Sequence, residues 1–252
     1  LLTEAKKQLH EEADYLREAE CIVKYTKALG EDERFEIPTV DSSLTTRGIL
    51  AMRYVEGVPI EQMAHATQPT RDKIATTMFE LLFKELLGMQ LMQTDPNFAN
   101  YRYKPESEQI ILLDFGATRS FRPAFAHTYK QLVLAAMDGD RDAMTRAGFA
   151  IGYFDENTLP KHQKAVLDMF EMALEPVTFE GAYDFGSTDL GPRLRQAGMA
   201  LGLERDFWHI PPIDTLFLHR KLGGLFLLAA RLKARVNVRQ LVKPYLKVQR
   251  PK

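Results

Sequence analysis

The chain has 252 residues, 45% hydrophobic and 27% charged, which suits one large domain or two lobes around a cleft, with a real core. Fifteen glycines and 13 prolines are near average usage and exclude collagen-like and low-complexity chains. A net charge of −1 disfavours a dedicated nucleic-acid binder and rules out an acidic disordered tail. The single cysteine, Cys21, makes neither an internal disulfide nor a multi-thiolate metal site, and suits a reducing compartment. The longest apolar run, Leu222 to Ala230, is nine residues, where a membrane helix needs about 20. No basic region followed by an apolar stretch opens the chain, so no signal peptide is read there. It begins Leu1-Leu2 without Met and is expected to be part of something longer.

In chain order, Leu9, Ala13, Leu16 and Val23 recur at helical spacing and predict a first helix that stops at Gly30. Phe35 to Val40 and Ile49 to Val55 read as two short strands. A long amphipathic helix is expected over Arg71 to Met92, with Ile74, Met78, Leu81, Leu82, Leu86 and Met89 as its apolar stripe. A polar loop, Gln93 to Asn100, leads into a hairpin of Tyr101-Arg102-Tyr103 and Ile110 to Leu113. Helices are expected over Tyr129 to Ala136, Asp140 to Phe149, Lys161 to Leu174 and Thr215 to Arg235, with a turn-rich stretch from Thr178 to Pro192. The last helix reads as a buried one with basic ends, contact with an anionic membrane being the alternative. The fold class is α+β, with a small lobe of one helix and two strands in residues 1–57 and a mostly helical lobe in 58–252.

Asp95, Asn100 and Asp114 carry the chemistry. The first two stand five apart in a loop after an apolar helix, and Asp114 opens Asp114-Phe115-Gly116 after an apolar strand. A hairpin joins the two sites, as in a kinase catalytic centre. Phosphoryl transfer needs a carboxylate near the acceptor hydroxyl, and a second carboxylate with an amide oxygen to hold Mg²⁺ on the phosphates of ATP. Gly116 is expected to let the backbone turn sharply there. A second copy, Asp184-Phe185-Gly186, has no apolar strand or Asp-x₄-Asn before it and reads as a loop.

Met92-Gln93-Thr94-Asp95-Pro96-Asn97-Phe98-Ala99-Asn100 and Leu112-Leu113-Asp114-Phe115-Gly116-Ala117-Thr118-Arg119 closely resemble the UbiB family of atypical kinases, which support ubiquinone biosynthesis. Glu12-Ala13-Asp14-Tyr15-Leu16-Arg17-Glu18 looks like that family's Glu-x-Asp helix, Val55-Glu56-Gly57-Val58-Pro59 like its hinge, and Leu218-His219-Arg220-Lys221-Leu222-Gly223-Gly224 like a late helix of its large lobe. The resemblance implies a protein kinase-like fold with Asp95 as the catalytic-loop aspartate and Asn100 and Asp114 as Mg²⁺ ligands. It implies that Glu18 pairs with a nucleotide-binding lysine, with Glu12 and Asp14 as the Glu-x-Asp pair. Adenine would meet the backbone of Arg53, Tyr54 and Val55, though this stretch also reads simply as a buried strand. On the first helix, Asp14 and Glu18 share a face while Glu12 points ~120° away; a solvated acidic face is the plain alternative.

No Gly-x-Gly loop and no Val-Ala-x-Lys strand occur, so the lysine-bearing part of the small lobe is expected upstream of residue 1. Gln93-Thr94-Asp95 stands in place of His-Arg-Asp, and no Ala-Pro-Glu follows Asp114, which favours a small-molecule, lipid or ATPase role over a protein kinase. The cofactors implied are ATP and Mg²⁺. The partners implied are ubiquinone-biosynthesis proteins and a lipid or anionic membrane surface, not nucleic acid, on the cytoplasmic face of a bacterial membrane or the mitochondrial matrix face. The competing readings are a small-molecule phosphotransferase of the aminoglycoside or choline kinase type and a nucleotide-binding scaffold without turnover.

Overall fold

The computed structural model of the protein describes residues 14–204 and 211–247. Glu12 of the Glu-x-Asp motif, and Phe207, Trp208 and His209, lie outside the described residues. Helix α1 (Tyr15–Leu29) starts at Asp14 as N-cap and stops at Gly30, whose φ of 70° is open to glycine without strain. Its buried face is Glu18, Ile22, Tyr25 and Leu29, spaced four, three and four apart. Of the predicted stripe, Leu9 and Ala13 lie outside the described residues, and Leu16 and Val23 are exposed, Val23 by 63%. Ile22 and Leu29 flank Tyr25 on the buried face, and Tyr25 is fully buried.

The two predicted early strands are mostly irregular. Only β1 (Phe35–Glu36) forms, and Ile49 to Val55 contributes no strand, only the isolated bridges Thr46 to Ile49 and Val40 to Met52. β2 (Val58–Pro59) follows, then a 3₁₀ turn over Ile60–His65. β1 runs parallel to β5 (Gln109–Leu112), which pairs antiparallel with β4 (Tyr101–Lys104), which pairs with β2.

Helix α2 (Gln68–Phe83) buries Ile74, Met78, Leu81 and Leu82 as the periodicity predicts. It does not reach Met92. It widens into a π-helical turn over Lys84–Met89 and is closed by Gln90 in a left-handed conformation. Leu91–Gln93 then form β3, antiparallel to β6 (Thr118–Ser120).

The rest is helical: α3 (Pro123–Asp138), α4 (Arg141–Ile151), α5 (Pro160–Ala173), the single turn α6 (Glu175–Thr178), α7 (Leu190–Leu203), α8 (Ile213–Arg231) and α9 (Val238–Leu246). The sequence reading had no helix at α7. It carried α8 to Arg235, but the chain turns at Lys233, with φ 47°, and enters β8 (Arg235–Val236). β8 pairs with β7 (Tyr183–Asp184), so the second Asp-Phe-Gly opens in a short strand rather than a plain loop. α8 is a core helix, burying Phe217, Leu218, Leu225 and Leu228. No described helix is long and apolar enough to cross a membrane.

Candidate active site

Two ladders bring distant residues together. Gln93 of β3 faces Thr118 of β6, so the loop after β3 and the loop before β6 leave the ladder side by side. Thr94 ties them again, with its backbone N–H and its Oγ1 both donating to the Ala117 carbonyl, at 3.2 and 2.7 Å. Tyr101 faces Leu112 across the β4–β5 hairpin, and Leu113 N–H donates to the Asn100 carbonyl at 3.0 Å. Asp95, Asn100 and Asp114 thus leave the ends of short strands whose registers are fixed by burial of Met92, Tyr101 and Leu112.

The Asn100 amide donates to Asp95 Oδ2 at 2.8 Å, which turns its own carbonyl oxygen toward other ligands. The other carboxylate oxygen of Asp95 accepts from Arg220 of α8 at 2.6 Å. Asn100 and Asp114 border one closed packing gap, too small for a water molecule, with Tyr25, Glu85, Gln93 and Lys221. Asp114 Oδ1 accepts from Gly116 N–H at 2.9 Å, and Glu18 accepts from Phe115 N–H at 3.2 Å. Burial pushes the Glu18 carboxyl above its ordinary range, the Phe115 N–H opposes this, and the nearby Asp114 charge adds to the rise. Two carboxylates facing one loop with an amide oxygen nearby suit a hard divalent cation, which takes few protein ligands when phosphates and water supply the rest.

The chain turns at Gly116 as expected, Thr118 N–H donating to the Phe115 carbonyl at 3.0 Å, but the turn does not require glycine. Gly116 is not among the positive-φ glycines, and a Cβ there would lie 3.4 Å from Asp114 Oδ1 and 3.7 Å from Glu18 Oε2, ordinary contact distances. What a methyl would do is stand between two carboxylates.

Beneath the loop lies a buried ion pair. Glu85, in the π-helical turn, is fully buried, and Lys221 of α8 is 3% exposed, with Nζ and Oε2 at 3.3 Å. Glu85 Oε1 accepts from Tyr25 Oη at 2.7 Å and Gln93 N–H at 3.1 Å. Lys221 donates to Gln93 Oε1 at 3.3 Å and Tyr101 Oη at 3.2 Å. Burial pushes the Glu85 carboxyl up against the pull of Lys221. Burial pulls Lys221 down, but the Glu85 charge together with Tyr101 and the hydrogen bonds to both outweighs it, and the ammonium is held above its usual range. Gln93, in place of the histidine of ordinary kinases, is the joint of this network, and its amide donates to the Asp95 carbonyl at 2.9 Å.

Of the residues named from sequence, Asp95, Asn100, Asp114 and Glu18 gather around these two loops. Asp14 does not join them: it is the α1 N-cap, accepting from Arg17 N–H at 3.4 Å and pairing with Arg47 at 3.4 Å. Arg53 N–H donates to the Thr39 carbonyl, Tyr54 is 84% exposed and Val55 is buried. Sequence reasoning missed Glu85, Gln93, Arg220 and Lys221 as parts of the site. A signal existed: Glu85 continues the apolar stripe Ile74, Met78, Leu81, and Lys221 sits on the stripe Leu218, Leu225, Leu228, so an acid and a base each occupy a core position.

Residues 1–148 match the ABC1 atypical kinase-like domain. The mitochondrial atypical kinase COQ8B of Rattus norvegicus is 37% identical over 94% of this chain and 44% of its own length. The mitochondrial atypical kinase COQ8 of Saccharomyces cerevisiae is 33% identical over 96% of this chain and 48% of its own. The chain therefore spans under half the length of these curated relatives. Among solved structures, the Rv3197–erythromycin complex from Mycobacterium tuberculosis shares the fold, with a TM-score of 0.73 over 96% of this chain and 60% of that one at 20% identity. The kinase-like fold, the Asp95–Asn100–Asp114 layout and these matches agree: the chain belongs to the ABC1 atypical kinase-like family, the UbiB family its motifs resemble.

Proposed function

We propose that this chain carries the catalytic centre of an atypical kinase or ATPase of the UbiB type, dependent on Mg²⁺ and ATP and supporting ubiquinone biosynthesis. The observation that carries the reading is the joint placement of three residues. Asp95 and Asn100 share a hydrogen bond, Asp114 borders the same closed gap as Asn100, and Glu18 of α1 holds the Asp114 loop through Phe115 N–H. In these roles Asp95 orients or deprotonates the phosphoryl acceptor, while Asn100 and Asp114 hold Mg²⁺. When bound, Mg²⁺ neutralises charge on the phosphates. Glu18 fixes the metal loop through Phe115 N–H and pairs with the nucleotide-binding lysine, and Glu12 and Asp14 form the Glu-x-Asp pair. Since Arg53 N–H is engaged by Thr39, adenine is assigned to the backbone of Tyr54 and Val55, at the junction of lobes 1–57 and 58–252. The relatives are named as mitochondrial, which favours the matrix face of a lipid membrane, with ubiquinone-biosynthesis proteins as partners.

The test is Mg²⁺-ATP binding by thermal shift, and ATP turnover, in the full-length polypeptide that carries these residues. Wild type is expected to be stabilised and to turn over, and Asp114→Asn to lose both. Equal hydrolysis by wild type and Asp114→Asn would sink the proposal.

A further inference from the structure

Helix α8 lies against the catalytic loop and grips it at neighbouring points. Arg220 Nη2 donates to the Asp95 carboxylate at 2.6 Å. Lys221 donates to Gln93, which donates to the Asp95 carbonyl. Gly224, one turn on, meets Pro96 so closely that a Cβ would overlap the proline ring. Near its start the same helix is tied to the strand after the metal loop. The Arg119 guanidinium lies 3.7 Å from the centre of the Phe217 ring and pairs with Asp214 at 3.5 Å. One helix therefore touches both halves of the centre.

We propose that Arg220 is a positioning residue for Asp95, locking the carboxylate in the rotamer that faces the phosphoryl acceptor while Lys221, through Gln93, fixes the backbone of the same residue. The inference rests on the kinase reading above. An exposed ion pair is ordinarily worth little, because two long side chains must be ordered in water. This one differs in two ways, although Arg220 itself is 44% exposed and stands at the rim of the site. The Asp95 carboxylate is only 19% exposed and accepts an amide on one oxygen and a guanidinium on the other, from two different elements. The stem of Arg220 starts one residue from the buried network of Lys221, Glu85, Tyr25, Gln93 and Tyr101, so the register of the helix is already fixed. The planar fork of arginine holds a carboxylate in a defined direction, which a lysine ammonium does so only loosely.

The experiment is ATP turnover by the full-length polypeptide in four forms: Arg220→Ala, Arg220→Lys, Asp95→Asn and the Arg220→Ala/Asp95→Asn double variant. A small misplacement of a catalytic group lowers rate by roughly 10- to 100-fold, so Arg220→Ala is expected to lower kcat by about that factor. KM for ATP should change by less than about threefold, since Arg220 acts on the acceptor side. Arg220→Lys should recover part of the rate. In the Asp95→Asn background the same alanine change should alter kcat by less than about twofold, because residues acting as a unit are non-additive.

A full additional loss in that background, a rise in KM with kcat unchanged, or wild-type turnover in Arg220→Ala would each overturn the proposal. Where Asp95→Asn is too slow to time, the lysine rescue at constant KM decides, and its absence counts against the inference. If Arg220→Ala fails to fold, Arg220→Gln, which keeps the stem and an amide donor, takes its place. Asp114→Asn is run beside them. Loss of turnover there with silent Arg220 variants overturns only this inference. Unchanged turnover in Asp114→Asn removes the kinase reading and the inference with it.

Discussion

Asp114-Phe115-Gly116 and Asp184-Phe185-Gly186 are the same tripeptide in two settings. Locally they fold alike. In each the glycine N–H donates to the aspartate Oδ1 at 2.9 Å, and in each the phenylalanine ring is buried. The surroundings differ at every other point. Phe115 N–H donates to the Glu18 carboxylate, whereas Phe185 N–H donates to the Ala234 carbonyl. Asp114 borders a closed packing gap with Asn100, while Asp184 pairs with Arg235 at 3.3 Å. Phe115 packs on Tyr25 of α1, and Phe185 on Phe79, Tyr183 and Phe226 of the helical lobe. A Cβ on Gly116 would meet only carboxylate oxygens, but one on Gly186 would press on Lys233 Cβ at 2.8 Å and its Cα at 3.0 Å. The tripeptide specifies a turn and an inward ring. Whether its carboxylate is left for a metal or neutralised by an arginine is decided by what packs opposite.

The first copy rests above a buried charge pair, and the largest effect is expected from breaking it. Lys221→Met leaves Glu85 uncompensated and should cost about 3–5 kcal/mol in denaturant unfolding. Adding Glu85→Gln, which can still accept from Tyr25 and Gln93, should recover more than half. No recovery would mean that Lys221 acts through packing alone. Next comes the contrast between the aspartates. Asp114→Asn should lower ATP turnover by roughly a hundredfold or more, the several kcal/mol a bound metal supplies. Asp184→Asn should stay within about twofold, and equal losses would erase the distinction drawn here.

The glycines sharpen it from the side of stability. Gly186→Ala is overpacked against a neighbouring backbone and should cost about 1–3 kcal/mol. Gly116→Ala, whose added methyl makes only ordinary contacts, should cost less than about 0.5 kcal/mol in unfolding while still lowering Mg²⁺-ATP affinity. The smallest effect concerns Glu18. Because burial and Asp114 raise its pKa, ionising it costs stability that is lost as pH rises from the ordinary carboxyl value through the raised one and stays lost at neutral pH. Glu18→Gln should therefore leave stability at neutral pH unchanged or raise it by up to about 1 kcal/mol, while the thermal shift with Mg²⁺-ATP falls. A clear drop in Tm instead would make Glu18 a structural residue.

Much of this was legible before any coordinates. Asp95, Asn100 and Asp114 are singled out from residue type, flanking elements and spacing together, with their roles implied by the family resemblance, and the structure brings the three residues together. The α2 stripe and the β4–β5 hairpin were legible because their apolar periods are long or sharply bounded. Val23 is apolar yet exposed, Ile49 to Val55 looks like a strand yet makes only bridges to the nearby Thr46 and Val40, and α2 ends early in a π-helical turn. For α2 the partner is remote in sequence, since Glu85 in that turn meets Lys221 of α8.

The sequence by itself determined the local chemistry: the carboxylates and the amide the proposed centre would use, and the turn that each Asp-Phe-Gly makes. Only the tertiary structure decided that Glu85 and Lys221 meet beneath Gln93, that Arg220 reaches Asp95, and that one Asp-Phe-Gly faces Asn100 while the other faces an arginine. The physical reason is range. Hydrogen bonds within a turn close over two or three residues and are written in those residues, whereas the field around a carboxylate is set by whatever groups the core brings within a few ångströms.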